Sequence, residues 1–290
     1  MKQYKIKSWR KPTEKKTEFG KVNPFIPTTK IFDNLSIISD STDACFLLET
    51  TAGLILIDAM EQPQRYLDAI LRGVADIGYE PQDVKIILVT HGHGDHYGRM
   101  GDLKRITGAK LFMGRQEEDL AIHHPIGGFP PMDAAADVYL EDGGDVVLGD
   151  TAVHCVMTPG HTQGCFSFIL PVTDEGKPHK ISLWGGTGLL PGVNVLQYLE
   201  SLEKFTGICE KLGVDGAISN HPSCDDGILR AQMCREIGEG LPNPYVWTTE
   251  VLLNYYQRFR RMCEAMLRIA PDGIVPDRKE FVPNVGKDAD

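Results

Sequence analysis

Residues Thr90–Gly98 read THGHGDHYG, directly after the apolar run KIILVT that ends at Thr90 itself. Three histidines and an aspartate fall within six positions, in a chain with only nine histidines. A polar surface turn rarely concentrates imidazoles in this way. Imidazole nitrogen and carboxylate oxygen are ligands suited to zinc. His91 and His93 are two apart, so on extended chain their side chains point to the same side. Asp95 and His96 follow where the chain turns toward a helix. The intervening glycines let the backbone bend tightly and leave room for a metal. One ion cannot easily take four groups from six consecutive residues. Two adjacent ions can, if each draws further ligands from elsewhere.

Those further ligands should be histidines at strand ends or in Gly/Pro loops. His161 in TPGHTQG follows the strand pattern AVHCVM, and His221 in SNHPS follows GAIS. The other four histidines fit less well. His154 lies inside a strand pattern and reads as a hydrogen-bonded structural residue. His179 lies in the polar turn DEGKPHK and reads as solvated. His123 and His124 open the Gly- and Pro-rich stretch IHHPIGGFPPMDAAAD, a long loop of the kind that is often functional, and are candidates for a pocket mouth.

The rest of the chain bounds the setting. It has 290 residues and a formal net charge of −10, which argues against nucleic acid or an anionic membrane as the main partner. The first thirty residues hold nine Lys or Arg and two acids, and residues 1–30 read as a basic arm. Residues 31–290 read as one catalytic domain with a C-terminal helical extension. The start lacks the apolar core of a signal peptide, and no apolar run is long enough to span a bilayer, so a cytoplasmic protein is expected. The seven cysteines are odd in number and without CxxC spacing, which predicts reduced thiols. A small-molecule substrate is the expected partner. The arm and the amphipathic C-terminal helix are the elements a homodimer contact would use.

Short apolar runs predict strands at NLSIIS, ACFLLET and LILIDA, with a hairpin turn at Gly53. Helical spacing predicts a helix over 63–77 that starts near Pro63, and a short one over 97–106. Further strands are expected at KIILVT, AKLFM, DVYLE, DVVLG, TAVHCVMT, GCFSFILPV, KISLWGG and GAISN. Helices are expected over about 195–212, about 225–238 and from Tyr245 to about Ile269. Mixed strand sets with interspersed helices predict an α/β (α+β) architecture of sheets covered by helices.

The pieces LILIDA, THGHGDH, TPGHTQG, LWGGTG and SNHP, in this order over residues 35–225, resemble the metallo-β-lactamase superfamily. The resemblance implies an αββα sandwich of two mixed β-sheets flanked by helices. It also implies that His91, His93 and His161 hold one zinc, that Asp95, His96 and His221 hold a second, and that Asp58 orients a ligand histidine. Glyoxalase II types, lactonases and persulfide dioxygenases carry a bridging aspartate where this chain has Gly186, and flavodiiron proteins usually have a glutamate in place of His93. A histidine-rich site without bridging carboxylate or cysteine, together with TPGHTQGCFSF, is similar to the third subclass of metallo-β-lactamases. The long C-terminal helix resembles instead metallo-hydrolases of mostly unassigned substrate.

The implied function is a dinuclear zinc hydrolase that uses a metal-bound hydroxide to cleave an amide, lactam or ester bond, with the ions about 3.5–4 Å apart. Iron or manganese are the alternative metals. A lactonase or phosphodiesterase of the same fold, or an iron-dependent oxidoreductase, is the alternative function. Asp95 would accept a proton from the attacking water. Thr187 would hydrogen-bond that water or simply end a strand. Tyr97 would reach the cleft or pack at a helix start.

Overall fold

A computed structural model of the chain describes residues 24–236 and 240–277. Most of the basic arm lies outside the described residues, and its last two, Thr29 and Lys30, already belong to the first strand. Two sheets form the centre. The first has seven strands in sequence order: β1 (Thr29–Phe32), β2 (Leu35–Ser39), β3 (Ala44–Thr50), β4 (Gly53–Ile57), β5 (Val84–Leu88), β6 (Lys110–Met113) and β7 (Val138–Tyr139). Its pairs from β1 to β4 are antiparallel and those from β4 to β7 parallel. The second sheet is built from β8 (Asp145–Leu148), β9 (Thr151–Met157), β10 (Phe166–Asp174), β11 (Lys177–Leu183) and β12 (Ala217–Ile218), in the spatial order β12-β11-β10-β9-β8. Its one parallel pair is β11 with β12.

The side-chain period of two explains the layering. On β3 and β4, Phe46, Leu48, Ile55 and Ile57 face inward and meet Cys155, Phe166, Phe168 and Leu183 of the second sheet. Their neighbours Cys45, Leu47, Leu54 and Leu56 face outward. They are covered by Tyr66, Leu67, Ile70 and Val74 of α1 (Gln64–Asp76) and by Leu103 of α3 (Met100–Thr107). On the second sheet Val156, Ile169 and Trp184 face outward, under α5 (Val195–Leu212) and α7 (Thr249–Ile269). Strands apolar on both faces are thus required by helices on both sides, and the αββα sandwich follows. α6 (Gly227–Glu236) completes the set.

Several boundaries depart from sequence expectation for visible reasons. KIILVT leaves the ladder after Leu88, because Thr90 turns its carbonyl to the amide of Phe166 in the opposite sheet at 2.9 Å. The helix expected over 97–106 is split into α2 (Gly94–Tyr97) and α3. Gly98 causes the break: it has φ +46°, and a Cβ there would lie 2.4 Å from the carbonyl oxygen of Ala59. α7 starts at Thr249 rather than Tyr245, where Thr248 caps it by accepting the amide of Val251 at 3.2 Å. α4 (Arg115–His123) was not expected; its charged run RQEEDL hides the burial of Glu117 and Ala121.

The outer face of the second sheet carries an aromatic cluster. Trp184 packs edge-on to Tyr198 at 5.3 Å, and Phe205 packs edge-on to Tyr256 at 5.9 Å. Tyr256 also donates its hydroxyl to Ser182 Oγ at 2.9 Å, tying α7 to β11. Deleting this ring with Tyr256→Ala is predicted to cost about 3–5 kcal/mol, the range for a buried aromatic truncated to alanine. Urea unfolding followed by circular dichroism measures it. A loss under about 1 kcal/mol would mean that α7 is not needed to hold the sheet.

Candidate metal centre

The site forms at the edge of the sandwich where β4, β5, β9, β11 and β12 end. Each strand delivers a residue as its ladder stops: Asp58 after β4, Thr90 and His91 after β5, His161 beyond β9, Gly186 after β11, and Asn220 and His221 after β12. Backbone bonds hold this edge together. Asp58 N donates to Leu88 O at 2.9 Å, and Ala44 N donates to Asn220 O at 2.8 Å across the sheets.

Two groups of ligand-type atoms converge there. In the first, His93 Nδ1 lies 3.1 Å from His91 Nε2 and 3.1 Å from His161 Nε2. In the second, Asp95 lies 3.6 Å from His96 Nε2 and 3.7 Å from His221 Nε2. Within each group the ligand atoms are within 4.8 Å of one another. The groups adjoin, since the rings of His91 and His96 are 4.1 Å apart.

The opposite nitrogens fix the tautomers. His96 Nδ1 donates to Asp58 Oδ2 at 3.0 Å, and His161 Nδ1 donates to Gly188 O at 2.6 Å. His221 Nδ1 meets Thr42 O at 3.2 Å and Asp43 Oδ1 at 3.3 Å. Thr90 gives its one hydroxyl proton to Asp58 and so accepts from His91 Nδ1 at 3.0 Å. Four imidazoles therefore direct Nε2 to the centre, where a metal would displace any proton it carries. His96 Nε2 is buried and makes no hydrogen bond. A metal that displaces its proton is what such a partnerless, inward-facing nitrogen suits, and the residues fit one.

Charge follows the same division. Burial, reinforced by neighbouring imidazoles, holds His91 and His93 far below the ordinary histidine range. Burial also takes His161 down to about 4. Burial opposes charging His96 as well, but Asp95 and Asp58 overcome it and push it up to about 9. For Asp95, burial is outweighed by His96 and His221, which hold the carboxyl below its usual value.

The remaining sequence candidates fall elsewhere. Tyr97 is fully buried at the base of α2, and its hydroxyl donates to Pro130 O at 2.7 Å. His123 and His124 stand exposed at the end of α4, with His124 3.9 Å from Asp119, and belong to neither group. Thr187 is buried, with its carbonyl accepting from Tyr198 at 3.4 Å. His154 pairs with Asp145 at 2.8 Å, as a structural histidine should. His179, expected to be solvated, pairs with Asp215 at 2.6 Å.

The long loop reaches the site. A Cβ on Gly94 would lie 2.1 Å from the ring of Phe129, so this motif glycine admits the loop as well as a metal. Sequence reasoning missed Asn220, whose Nδ2 donates to Asp58 Oδ2 at 3.0 Å, and Asp43, buried behind His221. Their adjacency to motif residues was the available signal.

Residues 42–174 match the family model described as Metallo-beta-lactamase superfamily. The probable polyketide biosynthesis zinc-dependent hydrolase PksB of Bacillus subtilis is 25% identical over 131 residues, 44% of this chain and 51% of that protein, so the match spans about half of this relative. The structure of native FEZ-1 metallo-beta-lactamase from Legionella gormanii superposes with TM-score 0.76 at 23% identity, over 87% of this chain and all (100%) of that one. MEM-A1, a subclass B3 metallo-beta-lactamase from a soil metagenome library, gives TM-score 0.73 at 25% identity, over 86% of this chain and 98% of that one. No helix among the described residues is long and apolar enough to cross a membrane.

The raised His96 makes a pH prediction for the metal-free protein. Its folded value of about 9 exceeds the ordinary 6.5. The stabilisation it contributes is therefore fully present below 6.5 and is lost as pH rises through about 9. The melting temperatures of wild type and His96→Gln should differ most near pH 6 and draw together above pH 9. A gap independent of pH would contradict the assignment.

Proposed function

We propose that the chain, whose residues 42–174 match the metallo-β-lactamase superfamily model, is a metal-dependent hydrolase of that superfamily that carries two zinc ions and cleaves an amide, lactam or ester bond of a small molecule. His91, His93 and His161 hold one ion, and Asp95, His96 and His221 hold the other. The observation that carries this reading is the convergence of three imidazole nitrogens, with those of His91 and His161 each 3.1 Å from that of His93, beside a second, carboxylate-containing group. A tetrahedral zinc with Zn–N bonds of about 2.0 Å needs ligand nitrogens about 3.3 Å apart.

Bound zinc supplies Lewis acidity, bringing the pKa of water toward neutrality and polarising a carbonyl. The chain does the rest. Asp95 is the one carboxylate in either group, and its side chain keeps 23% exposure toward the cleft. Held ionised by His96 and His221, it accepts the proton of the attacking water. Asp58 keeps His96 oriented directly and His91 through Thr90. Phe129, over Gly94, gives the cleft an apolar wall beside the ligands.

Gly186 bears on the substrate. A Cβ there would lie 2.4 Å from His161 Cβ, so His161 fills the space from which a bridging carboxylate would start. This supports a β-lactamase-like centre over a lactonase-like one, and the subclass B3 label of MEM-A1 points the same way.

Metal analysis of purified protein, paired with nitrocefin and ester hydrolysis before and after chelation, tests the reading. We expect two zinc ions per chain and chelator-sensitive turnover, with Asp95→Asn lowering kcat by about 10²–10⁴-fold while the circular dichroism spectrum is kept. Undiminished turnover in Asp95→Asn, or a protein without bound metal, would contradict it.

A further inference from the structure

Glu117 stands at the third position of α4 and is fully buried. Both carboxylate oxygens turn toward other loops. Oε2 accepts the amide of Gly92 at 2.6 Å, and Oε1 accepts the amide of Gly164 at 2.6 Å. Gly92 separates His91 from His93, and Gly164 lies three residues beyond His161. One side chain thus joins the two loops that carry the whole first histidine group. Carboxylate-to-amide bonds this short are charge-assisted and directional.

The glycines support the same reading independently. A Cβ on Gly92 would lie 2.4 Å from Glu117 O, and a Cβ on Gly164 would lie 2.9 Å from Glu117 Oε1 and 2.9 Å from Gln116 Cβ. Neither position has room for a side chain while α4 sits close enough for Glu117 to reach both amides. The second group hangs on other supports: Asp58 for His96, and Thr42 and Asp43 for His221.

We infer that Glu117 is a positioning residue that sets the spacing between the His91–His93 pair and His161, and so tunes the first metal site selectively without touching the ion. The inference rests on the ligand assignment proposed above. It makes α4, a charged helix outside the metal motifs, part of the machinery of the centre. Displacing the carboxylate frees two loop backbones at once, so the triad loses its preset geometry even though every ligand remains.

The test isolates each site. His221→Ala removes a ligand of the second group and His161→Ala a ligand of the first. Glu117→Gln, which turns an NH2 toward one of the two amides, is added to each. Zinc affinity is measured by chelator competition, and cobalt(II) spectra report first-site geometry. Glu117→Gln should weaken zinc about 10–100-fold in the His221→Ala background, shift the cobalt bands, and leave affinity unchanged in the His161→Ala background.

Glu117→Asp keeps the charge but reaches one amide, and should lose less. It also serves if the glutamine variant fails to fold. In metal-free wild type, the amide protons of Gly92 and Gly164 should resonate downfield and move upfield in Glu117→Gln. Tyr256→Phe, which removes the bond to Ser182 and none of the clamp's bonds, should lower the melting temperature and leave zinc affinity unchanged. Equal losses in both backgrounds, or none in either, would overturn the inference. A His221→Ala parent that binds no zinc would overturn the ligand assignment, and this inference with it.

Discussion

Asp58 is the point on which the site edge turns. Its carboxylate is inaccessible to solvent and accepts from Thr90 N at 2.8 Å, Thr90 Oγ1 at 2.9 Å, His96 Nδ1 at 3.0 Å and Asn220 Nδ2 at 3.0 Å. A buried charge is costly unless its lone pairs are satisfied, and here the satisfying donors come from β5, α2 and the loop after β12. The same bonds that offset its burial therefore draw both sheets to one focus. Asp58 adopts φ 56° and Met60 φ 54°, a left-handed backbone rare for such residues and found where structure is held against its local preference. The turn between β4 and α1 is shaped to aim this carboxylate inward.

Three apolar layers leave the chain few other places for polar chemistry. The space between the sheets is filled by Phe46, Phe166, Phe168 and their neighbours, and both outer faces are sealed by helices. Polar groups gather where the strands end, and there His91, His96, His161 and His221 each find an acceptor for Nδ1 and turn Nε2 to the centre. Close backbone approach is the second condition. Gly92, Gly94 and Gly186 each lie against a neighbour that a side chain would displace, so the density of glycine around the histidines reflects packing between loops as much as bending within them.

Much of this was legible in the sequence because it is periodic or local. Runs such as LILIDA and KIILVT announce strands buried on both faces, and HGHGDH announces a cluster of ligand-type side chains through their spacing. The approach of His161 and His221 was readable from their places after strands. What was hidden depends on contacts far apart in sequence. Glu117 looks like any glutamate on a charged helix until α4 is laid against Gly92 and Gly164. Asn220 looks like a turn residue until it meets Asp58, 162 positions away. Tyr97 stood between two readings, cleft or packing at a helix start, and only contacts far apart in sequence show its ring in the core beneath α1 and α3.

Two adjacent cation positions, built from histidines on separate strand ends and preset by Asp58, are the core of the account. Anomalous diffraction at the zinc edge, from crystals of protein purified without added metal and then given zinc, addresses it most directly. The account predicts two peaks, one enclosed by His91, His93 and His161 and the other by Asp95, His96 and His221. A single peak bridging the two groups, or peaks at other residues, would contradict it.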